Sequence, residues 1–325
     1  MNASPSGAVA GRPHSVSYRV RHQTVYAYAG PVAHAHHLLH LMPRPTPWQA
    51  CTDYHLELWP LPATCRREVD PYGNPVTRVE LDSPHERLEV MARMHVELQP
   101  RPEPAAGSGL PWEQVRDSLQ YAPRPLEEPL REAMRYRVQS PLVPIKGVFG
   151  EFARDCFPEG RSIFDGARAL MERVHGSLTY ETGATDIATP LRDVLERRAG
   201  VCQDYAHLMI AGLRSLGLAA RYVSGYLRTE PRAEAAQELV GADASHAWVA
   251  VWVPPIGWVE FDPTNRLLVN QDHVVLGWGR DFSDVSPLRG VILGGGAHSL
   301  AVGVKVEPLE PPAPQPVTAA GLAPA

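Results

Sequence analysis

The chain contains little cysteine. Its 325 residues include only four, at Cys51, Cys65, Cys156 and Cys202, and no two of them have C-x-x-C spacing. So few and so scattered thiols argue against a disulfide framework, and the missing spacing argues against structural zinc. In a reducing compartment they are expected to be free thiols, each either an inert side chain or a nucleophile. We therefore expect neither a metal nor a cofactor.

Long apolar runs and a surplus of positive charge are also absent. No run approaches the roughly 18–20 apolar residues of a membrane span, and residues 1–15 lack the apolar core of a signal peptide. The sequence therefore predicts a cytoplasmic protein without a membrane partner. Its formal net charge is -5, whereas a general nucleic-acid binder is usually basic, so nucleic acid is not an expected partner.

Composition and patterning divide the chain into a tail, a small antiparallel β-domain, a helical bridging segment, a core that carries the motifs described below, and a second tail. Pro and Ala, with Gly, are frequent in the two tails, which cannot bury enough apolar surface to offset chain entropy and are expected to be disordered. Strand-forming runs on either side of the turn sequence DPYGNP predict the β-domain. In chain order, the predicted bounds are 1–15, 16–100, 101–160, 161–306 and 307–325.

The core segment is predicted to begin with three helices and to continue with strands. Ser162 and Asp165 resemble a capping box, and an apolar face with helical spacing follows them. Pro190 opens the second helix, and a third begins at about Cys202 with apolar residues three and four apart. Strands are predicted at 219–227, 246–253 and 258–262, with edge strands at 274–277 and 300–306. The predicted fold class is α+β, with helices packed on an antiparallel sheet.

Cys202 is the candidate nucleophile because it follows Gly200 and Val201 directly and opens the third helix. The free N–H groups and the positive dipole end of a helix N-terminus stabilise an anion, and the thiolate is the reactive form of cysteine. A preceding glycine lets a reacting carbonyl approach, and the Cys202 N–H is placed to face a developing oxyanion. The other three cysteines lack this context and are expected to be structural.

His246 and Asp262 are the candidate partners of that thiol. If Trp252 pairs with Trp258 across a hairpin, His246 becomes the diagonal neighbour of Asp262 on one face, at about 7–8 Å between backbones. A register slip of one residue would place them on opposite faces. In the expected arrangement His246 takes the thiol proton, Asp262 fixes the imidazole tautomer, and the thiolate attacks an amide or ester carbonyl. Water would convert the resulting thioester to an acid, and an amine would convert it to a new amide.

Three stretches of the sequence resemble the motifs of the transglutaminase-like superfamily. RAGVCQDYA surrounds the candidate cysteine, SHAW the histidine and GWVEFDPTN the aspartate, in the family's order. Residues 18–100 are similar to the N-terminal β-domain of a bacterial branch of that family, and 279–287 to its C-terminal segment. The resemblance implies a papain-like α+β core and either cysteine peptidase or amidase activity or amine acyltransfer. Calcium is not expected, because no EF-hand-like acidic loop is present.

Five more residues are candidates for oxyanion or substrate contacts. Folds of this family often complete the oxyanion hole with a side chain other than the nucleophile, and Tyr180 and Gln203 are candidates by position. Asp204 either lines the substrate site or caps the helix N-terminus. Trp248 and Trp258 are either core aromatics or the walls of a dry acyl tunnel.

Three functions remain open at the level of sequence. The first is hydrolysis of peptide or isopeptide amide bonds, and the second is transfer of the acyl group to a primary amine. They use the same catalytic residues, and how well the site excludes water decides between them. The third is a non-catalytic scaffold, against which the intact Cys-His-Asp set counts. The expected partners are a peptide or protein amide and, for the second function, a primary amine. The sequence does not set the oligomeric state.

Overall fold

Strands dominate the first hundred residues of the computed structural model, which describes residues 15–121, 125–229 and 245–309. The predicted tails lie outside these ranges except for residue 15 and residues 307–309, and the latter three end a strand. Five of the seven strands of the N-terminal sheet follow one another in the order β2-β5-β1-β4-β3. They are β1 Val16–Leu39, β2 Gln49–Trp59, β3 Thr64–Val69, β4 Pro75–Leu81 and β5 His85–Leu98.

The longest strand, β1, organises this sheet because its two halves pair with different neighbours. Its first half pairs antiparallel with β5, and its second half pairs with β4. Side chains alternate between buried and exposed along β1 and β5, the pattern of a sheet with one covered face. The covered face is a cluster of aliphatic and aromatic side chains that also includes Tyr226, Val274 and Leu276 from the second half of the chain. The two halves therefore share a core.

The last two strands of the chain do not pair within the core segment in which the sequence placed them. We expected the C-terminal strands to belong to the core segment, 161–306. Instead β13 Leu288–Gly294 and β14 His298–Leu309 pair with the free edge of β1 in the N-terminal sheet. Val306 is buried there. The pairing occurs because β1, at 24 residues, offers an edge long enough for both strands.

Seven helices occur within the described ranges. The bridging segment supplies three short ones, and the core segment supplies α4, whose N-cap Ser162 accepts a hydrogen bond from the Asp165 N–H. Among the described residues, no helix is long and apolar enough to cross a membrane. The helices are α1 Trp112–Ser118, α2 Glu128–Met134, α3 Gly147–Arg154, α4 Ile163–Ser177, α5 Leu191–Arg197, α6 Cys202–Ser215 and α7 Phe282–Val285.

Helix α6 lies at the centre of the second half of the chain. Every residue from Asp204 to Arg214 is buried, so α6 is a core helix rather than an amphipathic surface helix. It packs on α3, α4 and an antiparallel sheet of order β11-β10-β9-β8-β12. The strands of that sheet are β8 Ala220–Leu227, β9 His246–Val253, β10 Gly257–Asp262, β11 Leu267–Leu268 and β12 His273–Gly279. A short parallel pair, β6 Thr179–Tyr180 and β7 Ala199–Gly200, leads into the helix.

Candidate active site

Cys202 is the first residue of α6, with Val201 in extended conformation as the N-cap residue. The side chain is half-buried against the core that surrounds the helix. Its Sγ lies 4.0 Å from the carbonyl oxygen of Ser245, the residue that precedes the strand β9. The fold therefore places the thiol at a helix N-terminus and beside the start of β9, where His246 stands.

Asp204 hydrogen-bonds the N-terminus of α6, the helix end that carries Cys202. Its Oδ2 accepts hydrogen bonds from the Val201 N–H at 2.8 Å and from the Thr185 hydroxyl at 2.6 Å. Burial raises the pKa of Asp204, although these two bonds act in the opposite direction. The carboxylate fits because residue 200 is glycine: a Cβ there would stand 2.6 Å from Asp204 Oδ2. Asp204 thus caps the helix, one of the two roles that the sequence left open.

The predicted hairpin register is confirmed. Trp252 pairs with Trp258 and Val249 with Phe261, so the strands β9 and β10 are joined by a short loop in the expected alignment. Continued by one step, this register puts Trp248 opposite Asp262 and makes His246 its diagonal neighbour on the same face. The sequence pattern alone was therefore sufficient to bring the histidine and the aspartate together.

His246 and Asp262 form a direct contact in the interior. Nε2 of the imidazole lies 2.9 Å from Asp262 Oδ2, and both side chains are 0% exposed. The other ring nitrogen, Nδ1, is buried without a hydrogen-bond partner in the structure. Burial alone would lower the pKa of His246, but Asp262 and then the Cys202 thiol outweigh it and raise the pKa to about 10. Because Nε2 is engaged, Nδ1 is the ring nitrogen left for the thiol.

The Asp262 carboxylate is held as an anion by donors on both of its oxygens. Oδ1 accepts from the backbone N–H groups of Thr264 and Asn265 at 3.0 and 3.1 Å. Besides His246, Oδ2 accepts from Asn265 Nδ2 at 2.8 Å and lies 3.2 Å from His273 Nε2. Burial opposes ionisation, yet His246 and His273 hold the pKa of Asp262 well below its usual range.

Sequence reasoning assigned no role to Asn265 or His273. Asn265 ends the GWVEFDPTN stretch, so its position beside the aspartate was the available signal. His273 begins β12 and carried no signal, because a lone histidine before an apolar run is typical of many strands. Its contact with Asp262 emerges only from the folded sheet.

Tyr180 and Gln203 lie close to the start of α6, in β6 and in the first turn of the helix. The backbone of Tyr180 pairs with Gly200 in the β6–β7 ladder, and its ring lies 6.4 Å from that of Tyr205. Gln203 stands half-buried in the first turn of α6, next to Cys202. Gln203 follows Cys202 directly, and Tyr180 pairs with Gly200, two residues before it, so both stay candidates for the oxyanion hole.

Of the two tryptophans, Trp248 is a core aromatic and Trp258 is half-buried. Trp248 is fully buried behind His246, with 6.0 Å between ring centroids, and it donates its Nε1–H to Glu260 at 2.7 Å. Trp258 packs edge-on against Trp252 at 5.6 Å. Trp258 and Glu260 also line a cavity of about 780 Å³, but Cys202 and His246 do not. That cavity is therefore separate from the thiol.

No cluster of histidine, cysteine and acidic side chains in the described ranges has the arrangement of a metal site. The groups that the fold positions at the start of α6 and at β9 and β10 are a thiol, an imidazole and a carboxylate. Together they can form a thiolate–imidazolium pair, with the helix N-terminus stabilising the sulfur and the aspartate stabilising the ring.

Comparisons with known proteins identify relatives over most of the chain. The chain is 37% identical over 301 residues to an uncharacterized protein of Mycobacterium tuberculosis, covering 90% of this chain and 93% of the relative. A relative from Mycobacterium leprae, also uncharacterized, is 32% identical over 290 residues, which is 89% of this chain and 97% of that protein. A 134-residue stretch is 40% identical to protein-glutamine gamma-glutamyltransferase of Pseudomonas aeruginosa, covering 37% of this chain and 20% of that enzyme.

The fold has a solved counterpart in the crystal structure of a candidate cysteine protease from Cytophaga hutchinsonii. The two superpose with a TM-score of 0.70 over 92% of each chain, at 20% sequence identity, a level that shows the fold alone. The bacterial transglutaminase-like N-terminal region matches residues 18–97, and the transglutaminase-like superfamily matches residues 151–263. The chain therefore belongs to the transglutaminase-like superfamily, in the bacterial group that carries this N-terminal region.

Proposed function

We propose that this protein is a cysteine-dependent acyl-transfer enzyme that forms a thioester on Cys202 and then mainly hydrolyses peptide or isopeptide amide bonds. The observation that carries the proposal is the alignment of three groups: a half-buried thiol at a helix N-terminus, a buried imidazole, and a carboxylate 2.9 Å from that imidazole. A binding scaffold needs none of these groups. The burial of His246 and Asp262 and the donors that surround the carboxylate are what an acid–base relay requires.

The first half of the reaction builds the thioester. His246 Nδ1 accepts the Cys202 proton, and the thiolate attacks the carbonyl carbon of the amide. The negative charge that develops on the carbonyl oxygen faces the Cys202 N–H, which is one of the free donors of the helix N-terminus. The carbon–nitrogen bond then breaks, and the imidazolium gives its proton to the leaving amine. Asp262 keeps the ring oriented and stabilises its charge throughout.

The second half releases the acyl group. A water molecule loses a proton to His246 Nδ1 and attacks the thioester, the carbon–sulfur bond breaks, and the product is a carboxylic acid with the thiol restored. A primary amine that reached the thioester before water would give a new amide instead. The second candidate function, amine acyltransfer, is favoured by the local similarity to the gamma-glutamyltransferase of Pseudomonas aeruginosa.

Product analysis separates these functions. A glutamine-containing peptide would be incubated with the protein, with and without a small primary amine, and the products would be weighed by mass spectrometry. We expect acid products in both reactions and loss of all products in Cys202→Ala. The matched control is Cys65→Ala, because Cys65 is an exposed thiol on β3, in the N-terminal sheet. Amine adducts as the main product would favour the acyltransferase, and unchanged function in Cys202→Ala would favour the scaffold.

A further inference from the structure

The Asp262 carboxylate has a second histidine partner. His273 is fully buried, and its Nε2 lies 3.2 Å from Asp262 Oδ2, the same oxygen that contacts His246. Because a carboxylate can only accept, His273 Nε2 carries the proton in this contact. With Asn265 Nδ2 at 2.8 Å, Oδ2 therefore has three side-chain donors around it. Their directions fix the plane of the carboxylate, and through it the plane of the catalytic imidazole.

The strand that carries His273 is an edge strand whose outer edge is bonded by side chains rather than by another strand. β12 pairs with β8 on one side only. On its free edge, the Gln49 amide bonds both backbone groups of Val275, donating to the carbonyl and accepting from the N–H at 2.8 Å each. Asn74 does the same to Trp278, with both bonds at 2.9 Å.

This pair of amides is built into the N-terminal β-domain. Gln49 is the first residue of β2, and Asn74 belongs to the DPYGNP turn before β4. Both are buried. A Cβ at residue 277 would stand 2.7 Å from Asn74 Oδ1, so glycine at that position is what admits the amide to the strand. The two amides reproduce the hydrogen bonds of a neighbouring strand and fix the position of β12 along its own axis.

We propose that His273 is a positioning residue of the active site and that the N-terminal β-domain, through Gln49 and Asn74, holds it in place. The proposal deepens the proposed function and rests on it. His273 touches no reacting atom; it acts through Asp262, which orients His246. The N-terminal β-domain accordingly contributes to the geometry of the active site through β12.

The first experiment removes the Nε2–H donor of His273 and keeps a side chain of similar volume in its place. The rate at which iodoacetamide alkylates Cys202 near neutral pH reports the thiolate–imidazolium pair and requires no known substrate. His273→Leu leaves a buried carboxylate oxygen short of one donor, and we expect alkylation to slow roughly tenfold. His273→Gln places an amide donor near the position of Nε2 and is expected to recover most of the rate. If His273 had a purely structural role, Cys202 would be alkylated at the same rate in His273→Leu and His273→Gln variants that have the same melting temperature.

The second experiment tests the route through the N-terminal domain. Gln49→Leu frees the edge of β12 without touching the site, and we expect it to slow alkylation of Cys202 severalfold. In the double variant Gln49→Leu/His273→Leu, Cys202 should be alkylated no more slowly than in His273→Leu alone, because both changes act through one contact. The matched control is Gln23→Leu in the same domain. The Gln23 amide bonds Glu89 and not β12, so Cys202 in this variant should be alkylated at the wild-type rate. Additive effects, or no slowing in Gln49→Leu, would overturn the route.

The outcomes separate this inference from the proposed function. If wild-type Cys202 reacts no faster than an ordinary thiol, the proposed function fails, and the inference fails with it. If wild-type Cys202 reacts fast and folded His273→Leu reacts equally fast, the inference alone fails. Should His273→Leu not fold, the Gln49→Leu and Gln23→Leu pair still tests whether the N-terminal domain supports the site through β12, because neither glutamine contacts the site, and equal wild-type rates in the two would overturn the proposal.

Discussion

His246 Nε2 lies 2.9 Å from Asp262 Oδ2, and the opposite ring nitrogen, Nδ1, is buried with no hydrogen-bond partner among the described residues. An unpaired buried nitrogen costs free energy, and here it leaves Nδ1 available to the Cys202 thiol. The Cys202 thiol is the neighbour that raises the pKa of this imidazole from the other side. The histidine therefore sits between an anchoring carboxylate and a thiol that it can deprotonate.

The first prediction concerns the relative reactivity of the four thiols. We expect iodoacetamide to label Cys202 far faster than the others near neutral pH. Burial raises the pKa of Cys51 and of Cys156, which slows them, whereas Cys65 is exposed and serves as the ordinary-thiol comparator. Peptide mapping by mass spectrometry after short exposure gives the four rates. Equal rates at Cys65 and Cys202 would refute an activated thiolate.

The second prediction ranks the two partners of the thiol. His246→Ala removes the base and is expected to lower the rate of thioester formation by roughly 10²–10⁴-fold. Asp262→Asn keeps the base but replaces an acceptor by an amide that favours the wrong imidazole tautomer, so we expect a smaller, still large loss. Single-turnover release of the amine from a peptide substrate measures both. A wild-type rate in either variant would contradict the role assigned to that residue.

Much of this arrangement could be predicted from local patterns. The helix start at Cys202 follows from the glycine before it and the apolar spacing after it, and the pairing of β9 with β10 follows from period-two alternation and a short loop. The position of β14 beside β1 could not be predicted, since strand patterning indicates a buried face but not a partner. The same holds for His273, whose strand β12 is separated from β10 by β8 and β9. In a flat sheet three strand spacings would part them by about 14 Å, so the contact depends on the twist of the sheet.

The third prediction is a pH dependence of stability. The folded-state pKa of His246 is raised from 6.5 to about 10, so the folded protein keeps a proton that the unfolded chain has lost between these values. The stabilisation from this proton is complete below pH 6.5 and is lost as the pH rises toward 10, with a slope of at most about 1.4 kcal/mol per pH unit. Asp262, whose pKa is lowered, is ionised in both states in this range and adds no slope. Cys202, as the thiolate of the thiolate–imidazolium pair, has given up a proton that the unfolded chain keeps up to about pH 8.5, so the net fall in stability lies mainly above that pH.

Urea unfolding at pH 7, 8, 9 and 10 measures that slope. His246→Gln removes the titrating group, so its free energy of unfolding should fall less steeply over this interval than that of the wild type. His55→Gln replaces an exposed histidine on β2 and should keep the wild-type slope. Parallel lines for wild type and His246→Gln would show that His246 holds no extra proton in the folded state.

The fourth prediction tests how the helix N-terminus is built. Gly200→Ala would place a Cβ 2.6 Å from Asp204 Oδ2 and 2.8 Å from its Cβ, and both belong to a buried side chain with little room to move. We expect a loss of about 1–3 kcal/mol in the free energy of unfolding, the range for overpacking a core. Displacing Asp204 also breaks its bond to the Val201 N–H, so the Cys202 alkylation rate should fall with the stability.

A second glycine in the same domain provides the control for Gly200→Ala. Gly176 lies in helix α4, and a Cβ added there meets nothing within 4 Å, so Gly176→Ala should stabilise the protein by about 0.5–1 kcal/mol and leave the Cys202 alkylation rate unchanged. Thermal unfolding and alkylation kinetics of the two variants give both quantities. If Gly200→Ala were as harmless as Gly176→Ala, the close packing of Asp204 on residue 200 would not be what holds the helix N-terminus beneath the thiol. The activation of Cys202 would then depend on His246 and Asp262 without that support.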